Sequence, residues 1–292
     1  MRRSLIIVVL VCGGLGIFVL NLLLSNSASL LLQHLERSWD RKILAREVRI
    51  TFLPPIRLHL KEFSMADDPV FSSRAFLTAN DVMVTFRFLP LFLYQFRIKE
   101  VIARDATITI IRNSAGVYNF SSLRPENTRR QNPDRPVTSE GPTRRYSPVS
   151  ITSSSIEIFN GTIHYVDQTN GSNLTVHRFD LKTTDLGHEN SFEFEVAMAV
   201  FAAEQNLKIR AAVGPLGAHK SLRDLPIDGE LRFDQFDMGK LRAALPILKE
   251  QLPKALDLRG VYTTRGVRFK GTFNRPSLQG QVDGTDASFR LE

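Results

Sequence analysis

Side chains able to move a proton, attack a carbon or hold a metal are few in this chain, and their spacing is poor. Six histidines, His34, His59, His164, His177, His188 and His219, include no two that lie three or four residues apart. No helix can therefore present a pair of them to a metal ion. Cys12, the single cysteine, lies inside an uncharged apolar run, which leaves no place for a cysteine–histidine nucleophile and no partner for an intramolecular disulfide. Asp67–Asp68 is an acidic pair, but Pro69 follows it, and Asp with Pro is the chemistry of a chain reversal rather than of an acid–base dyad. "GPLGAHK" (214–220) has glycine and lysine without the spacing of a phosphate loop. The expectation is a protein that is not an enzyme and uses no cofactor or metal.

What the chain has in quantity is alternation. "FNGTIHYV" (159–166), "RDATITI" (104–110) and "TDASFRL" (285–291) share one cadence: Asp or Asn, then Gly or Ala, then Thr or Ser, then apolar–x–apolar. "VRITF" sets Val48, Ile50 and Phe52 to one side, and "IRLHLK" sets Ile56, Leu58 and Leu60 opposite Arg57, His59 and Lys61. Val82, Val84, Phe86 and Phe88 repeat the period of two. In "SFEFEVAMAV" the residues Phe192, Phe194, Val196 and Met198 alternate with Glu193 and Glu195. "LKIRAAV" answers with Lys208 and Arg210 outward, so a hairpin of the two would pair opposite charges. About fifteen such segments predict antiparallel strands with one apolar face. Stacked in a single sheet they would extend about 70 Å.

Helical period is confined to two places. Leu31, Leu35, Trp39 and Ile43, four apart, predict an amphipathic helix over 28–44. A second helical stretch over 237–256 is broken by Pro246 and Pro253. Residues 121–149, rich in Pro, Arg, Ser and Asn, read as a disordered basic linker or long loop. The domain reading is an anchor over 1–25, a helix and β region over 26–120, the linker, and a second β region over 150–292 with the helical insert.

The anchor is "SLIIVVLVCGGLGIFVLNLLL" (4–24). It carries no charge and is long enough for a hydrocarbon core of about 30 Å. Arg2 and Arg3 precede it and hold the N-terminus in the cytoplasm, which sends the body across the membrane. A cleaved signal before Ala28 would need a shorter apolar region, and Val11 before Cys12 argues against a lipoprotein. The net charge of +8 suits anionic lipid, nucleic acid or plain solubility alike. No base-stacking signature accompanies it, so nucleic acid is not an expected partner. With so little helix to cover them, the apolar strand faces must meet in a sandwich, close in a barrel, or line a gutter covered by lipid.

Residues 46–123 add a resemblance. "FLPPIRLHLKEFSMAD", "DDPVFSSRAFLTANDVMVTF" and "FLPLFLYQFRIKEVIARDATITIIRNSAGVYNF" resemble the N-terminal region of the AsmA family of bacterial envelope proteins, and "FDMGKLRAALP" and "GVRFKGTFNRPSLQGQVDGTDASFRLE" resemble its later strands more weakly. The resemblance implies a mainly β protein: an N-terminal transmembrane helix and an amphipathic helix, then a curved antiparallel β-sheet forming an apolar groove. It implies a single-pass inner-membrane protein with a periplasmic body, linked to outer-membrane homeostasis and to the targeting of proteins to the outer membrane. Its expected partners are phospholipid, the inner membrane, and outer-membrane or periplasmic proteins. On this reading the groove is lined by Phe52, Leu58, Leu60, Phe86, Phe88, Ile108 and Ile110, then by Ile163, Tyr165, Phe192, Phe194, Ile209, Phe233 and Phe269. The rival reading is an assembly or chaperone-like factor that takes up a client strand at the sheet edge or groove. Family members are commonly longer than this chain.

Overall fold

The computed structural model describes residues 36, 40–51, 54–87, 96–123, 149–150, 155–184, 191–215, 224–246 and 259–288. The strands are β1 (Ile43–Leu44), β2 (Glu47–Thr51), β3 (Arg57–Ala66), β4 (Ala75–Phe86), β5 (Phe96–Arg104), β6 (Thr107–Arg112) and β7 (Val149–Ser150). They continue with β8 (Ser155–Asp167), β9 (Ser172–Thr184), β10 (Phe192–Val200), β11 (Leu207–Val213), β12 (Pro226–Asp237), β13 (Arg259–Thr272) and β14 (Arg275–Ser288). All fourteen join one sheet, whose main path runs β1-β3-β4-β5-β8-β9-β10-β11-β12-β13-β14. Outside it, the described residues include a 3-10 turn (Asn119–Ser122), helix α1 (Met238–Ala244) and the helical Glu36.

Several expectations change. Ile43 belongs to β1, opposite Met65, and not to a helical stripe, because its apolar side chain is buried in the sheet's first cluster. The sheet is mostly but not wholly antiparallel. β5 and β6 both run parallel to β8, because the chain crosses over between Arg112 and Ser155 instead of turning back as a hairpin. β1 and β2 both pair with β3, and β5 and β6 follow one another along β8. The path therefore has eleven strands and ten steps, and the stacking length is about 48 Å rather than 70 Å. Helix α1 forms the first part of the predicted 237–256, up to the break at Pro246. Asp237 caps it by accepting from the Lys240 amide at 2.9 Å, and it ends just before Pro246. No helix among the described residues is long and apolar enough to cross a membrane. The run 4–24, the helical stripe up to Leu35, Phe52, Phe88, the basic stretch 124–148 and residues 247–256 lie outside the described residues.

Among the described residues, no single core forms. Three apolar clusters sit along the sheet: one around Leu58, Leu60, Phe63 and Met65, a second around Val176, Val200 and Phe236, and a third around Val213, Leu225 and Ile227. Leu241 of α1 packs on the second. The largest fully buried side chains are polar: Asn119, Asp167 and Ser172.

Close strand packing demands glycine at several places, Gly229 among them. A Cβ on Gly229 would lie 2.4 Å from the Arg210 carbonyl oxygen, 2.6 Å from the Ala211 Cβ and 2.6 Å from the Phe269 ring, which lies over the bare backbone. Gly229→Ala should therefore cost about 1–3 kcal/mol, read as a lower melting temperature. An unchanged melting temperature would mean that β11, β12 and β13 are not packed this closely.

Candidate functional site

Pairing fixes which side chains share a face, because directly opposed residues point the same way. From β2 to β14 the register runs Val48, Leu60, Val82, Ala103, Ile158, Leu181, Val196, Ile209, Leu231, Val267, Gly280. Eleven consecutive strands thus contribute one row with no polar side chain in it. A second row beside it runs Phe194, Ala211, Gly229, Phe269, Leu278. Of the longer row only Leu60 is buried; Val48 and the positions from Val82 to Val267 are partly covered, and Leu278 of the neighbouring row stands 68% exposed.

The residues one step along point to the other face. There the register reads Glu157, Lys182, Glu195, Arg210, Glu230, Arg268, Gln279, so charges of opposite sign alternate across the sheet. Lys182 meets Glu157 at 3.3 Å and Arg210 meets Glu195 at 2.9 Å. The Arg210 hydrogen bond, with help from Lys208, holds the Glu195 carboxyl below the usual range. Such exposed pairs each contribute under about 1 kcal/mol. Their larger consequence is that this face is charged while the opposite face is apolar.

A seam crosses the sheet and explains the repeated cadence. Glu62, Asp105, Asn160, Arg178, Gln235 and Asp286 all have positive φ, and each lies within a strand or, for Asp105, between β5 and β6. A residue in this conformation rotates the chain and shifts the alternation by one. Leu58 and Leu60 are followed by Phe63 and Met65, Val101 and Ala103 by Ile108 and Ile110, and Ile156 and Ile158 by Ile163 and Tyr165. The parity changes while the apolar face continues. Asp and Asn accept positive φ better than most residues, and two of them bond across the seam: the Asn160 side-chain amide donates to Asp105 at 2.7 Å, and the Asn160 backbone amide donates to Asp180 at 2.7 Å. Gln205 donates to Asp180 at 2.8 Å and Arg178 pairs with Glu204, so the open depression of about 510 Å³ over this seam is lined by groups that bond one another.

Two buried polar networks pin the strand ends. Arg41 donates to the Asn119 carbonyl at 2.9 Å and lies 3.6 Å from Asp68 and 3.9 Å from Asp67. The Asn119 amide donates to Asp67 at 2.9 Å and to the Thr109 carbonyl at 2.9 Å, and its oxygen accepts from the Ile111 amide. Asp67–Asp68 is thus part of a loop clamp. Burial pushes the Asp67 carboxyl up, against the opposing pull of Asn119 and Arg41. At the β8–β9 turn, Asp167 is as deeply buried but accepts from Thr169 twice, and from Arg112, Tyr165 and Asn170. Burial alone would raise its carboxyl; these donors outweigh that and hold it at about 2. Burial and the Asp167 bond push the Tyr165 hydroxyl up to about 12.

The AsmA family profile matches residues 3–250. The chain belongs to the AsmA family. No curated protein matches it. AsmA-family proteins are generally associated with the cell envelope.

Phe194, Ile209 and Phe269 lie in the two rows, and Phe192 packs beside Phe194 and Phe269. Leu58 and Leu60 are buried in the first cluster, with Phe86 against them. Ile108 and Ile110 pair with Ile163 and Tyr165 beyond the seam, and Ile163 and Phe233 pack in the second cluster. The long row itself was not read from the sequence: Val82, Ala103, Ile158, Leu181, Val196, Leu231 and Val267 became a set only through register. The seam residues Asp105 and Asn160 were visible as a cadence, but not their positive φ. His59 lies away from the row and bonds Asp81 at 2.8 Å, and His164 bonds Thr175 at 3.1 Å.

The lowered Asp167 pKa sets a pH dependence. A folded-state value of about 2, below the ordinary 3.8, contributes stability that is present above pH ~4 and lost as pH falls toward 2. Asp167→Asn should lower the melting temperature at pH 7, and its deficit against the parent should shrink between pH 4 and pH 2. A deficit that does not change over that range would contradict the assignment.

Proposed function

We propose that this AsmA-family protein is a non-enzymatic envelope protein that binds phospholipid by its acyl chains along the apolar face. In this reading residues 4–24 anchor it in the inner membrane, the body lies in the periplasm, and the face guides lipid tails in support of outer-membrane homeostasis. The observation that carries the reading is the eleven-strand row, polar nowhere and buried only at Leu60. An acyl chain laid on it removes apolar surface from water at about 0.8 kcal/mol per methylene. The row crosses the strands over about 48 Å, more than the ~30 Å of a hydrocarbon core. Because lipid tails are about as apolar as leucine, moving a tail from bilayer to face involves little net change, which favours transfer over capture.

The rival reading, a factor that contacts protein clients, draws on β14. It ends the sheet path, and its side chains from Arg275 to Asp286 are exposed, so it offers backbone for an added strand.

Native mass spectrometry of the detergent-purified full chain should show co-purifying phospholipid. Ile209→Arg and Val196→Asp, on the row, should reduce it severalfold while melting cooperatively. Lys182→Ala, on the charged face, should leave it unchanged. Absence of lipid from the folded parent protein, or equal retention in all variants, would overturn the proposal.

A further inference from the structure

Apolar side chains are exposed at both ends of the strands, Phe273 of the β13–β14 turn among them at 55%, but only one end receives the chain that follows residues 4–24. β3, β6 and β8 all finish at the same end of the sheet, since β6 is parallel to β8 and both β3 and β6 are antiparallel to β4. Two loops there, 67–74 and 113–123, carry large apolar side chains into solvent: Val70 at 81% exposure, Val117 at 45% and Phe120 at 43%. Tyr118 stacks on Phe120 at 5.0 Å, which stiffens the second tip. The neighbouring β8–β9 turn, Gln168 to Gly171, has no apolar side chain.

These two loops are one unit. Ser122 donates to Asp68 at 2.9 Å, and Arg41 reaches both loops through Asn119, Ser122 and Asp68. The same unit grips the incoming chain: the Arg41 amide donates to the Glu36 carbonyl and the Ile43 amide to the Glu36 carboxylate. Upstream of Glu36, eleven residues separate it from Leu24, the last residue of the uncharged run. They reach about 16 Å as a helix and no more than about 40 Å fully extended. The exposed apolar tips thus sit where the chain arrives from its most apolar segment, on a clamp that holds them at fixed positions.

We infer that Val70, Val117 and Phe120 form a second contact with the bilayer, inserting the tips of loops 67–74 and 113–123 into the lipid interface beside the anchor. This rests on the reading that residues 4–24 cross the membrane. Apolar tips of this kind enter the boundary between headgroups and acyl chains to a depth of about 5–10 Å. Arg74, exposed at the end of the first loop, is placed to meet anionic headgroups. The contact fixes the orientation of the sheet, with the ends of β3, β6 and β8 toward the membrane and the turn between β13 and β14 away from it.

The test uses the full chain with Cys12→Ser, carrying a single added cysteine at Val70→Cys, Phe120→Cys or Asn274→Cys, each labelled with an environment-sensitive fluorophore. The protein is reconstituted in vesicles of phosphatidylethanolamine and phosphatidylglycerol, with nitroxide on a fraction of the acyl chains. Labels at 70 and 120 should shift to the blue and be quenched at least about threefold more than the label at 274. Equal quenching at all three positions, or stronger quenching at 274, would overturn the inference, as would an aqueous signal at 70 and 120, or a blue shift there without nitroxide quenching, which is what a second copy would leave. The result is separable from lipid binding on the sheet. Insertion without co-purified phospholipid would sink only the groove, and co-purified phospholipid without insertion would sink only this contact.

Discussion

The constraint on which the rest depends is that, among the described residues, one sheet carries one apolar face with almost nothing laid against it. A β-sandwich satisfies its apolar faces by stacking two sheets about 10 Å apart. Here the fourteen strands of the described residues join a single sheet, and among those residues α1 covers the patch around Leu241. The row from Val48 to Gly280 is consequently left partly covered along nearly its whole length. The other features follow from keeping that row intact. The alternating ladder from Glu157 to Arg268 keeps the opposite face in water, and the positive-φ seam corrects the parity so that apolar residues stay on one side. Gly229 lets the Phe269 ring close over the backbone without a gap.

With apolar burial limited, deep packing is given to hydrogen bonds. Asn119 and Asp167 are each fully enclosed and fully engaged. They differ in a telling way. Both Asp67 and Asp167 have no solvent-exposed side-chain surface, yet burial dominates at Asp67 and donors dominate at Asp167. The number of donors reaching the carboxylate decides the direction. Both networks sit at one end of the strands, where loops would otherwise leave backbone groups unpaired.

Much of this was legible in the chain. Period-two alternation gave β3, β4, β10 and β11 and the faces of Phe194 and Glu195, because a half-covered strand must alternate. The opposite charges of Glu195 and Arg210 met as their spacing implied. The family was legible in the residues 46–123. Three things were not. Ile43 continues a spacing of four by coincidence, and only its pairing with Met65 places it in a strand. The parallel arrangement of β6 and β8 depends on a crossover that no local pattern encodes. The long row depends on register between strands far apart in sequence, which alternation within each strand leaves free. The cadence at Asp105 and Asn160 carried a signal that alternation alone could not interpret: a parity change from even-numbered Ile158 to odd-numbered Ile163, with Asn between them.

The central claim is that the row meets hydrocarbon and the ladder meets water. Its most direct test is photocrosslinking in the native membrane with a benzophenone side chain at position 209 and, one residue on, at position 210. The account predicts phosphate-labelled lipid adducts at 209 and none at 210. Equal labelling at both positions, or adducts at 209 that contain only protein, would contradict it.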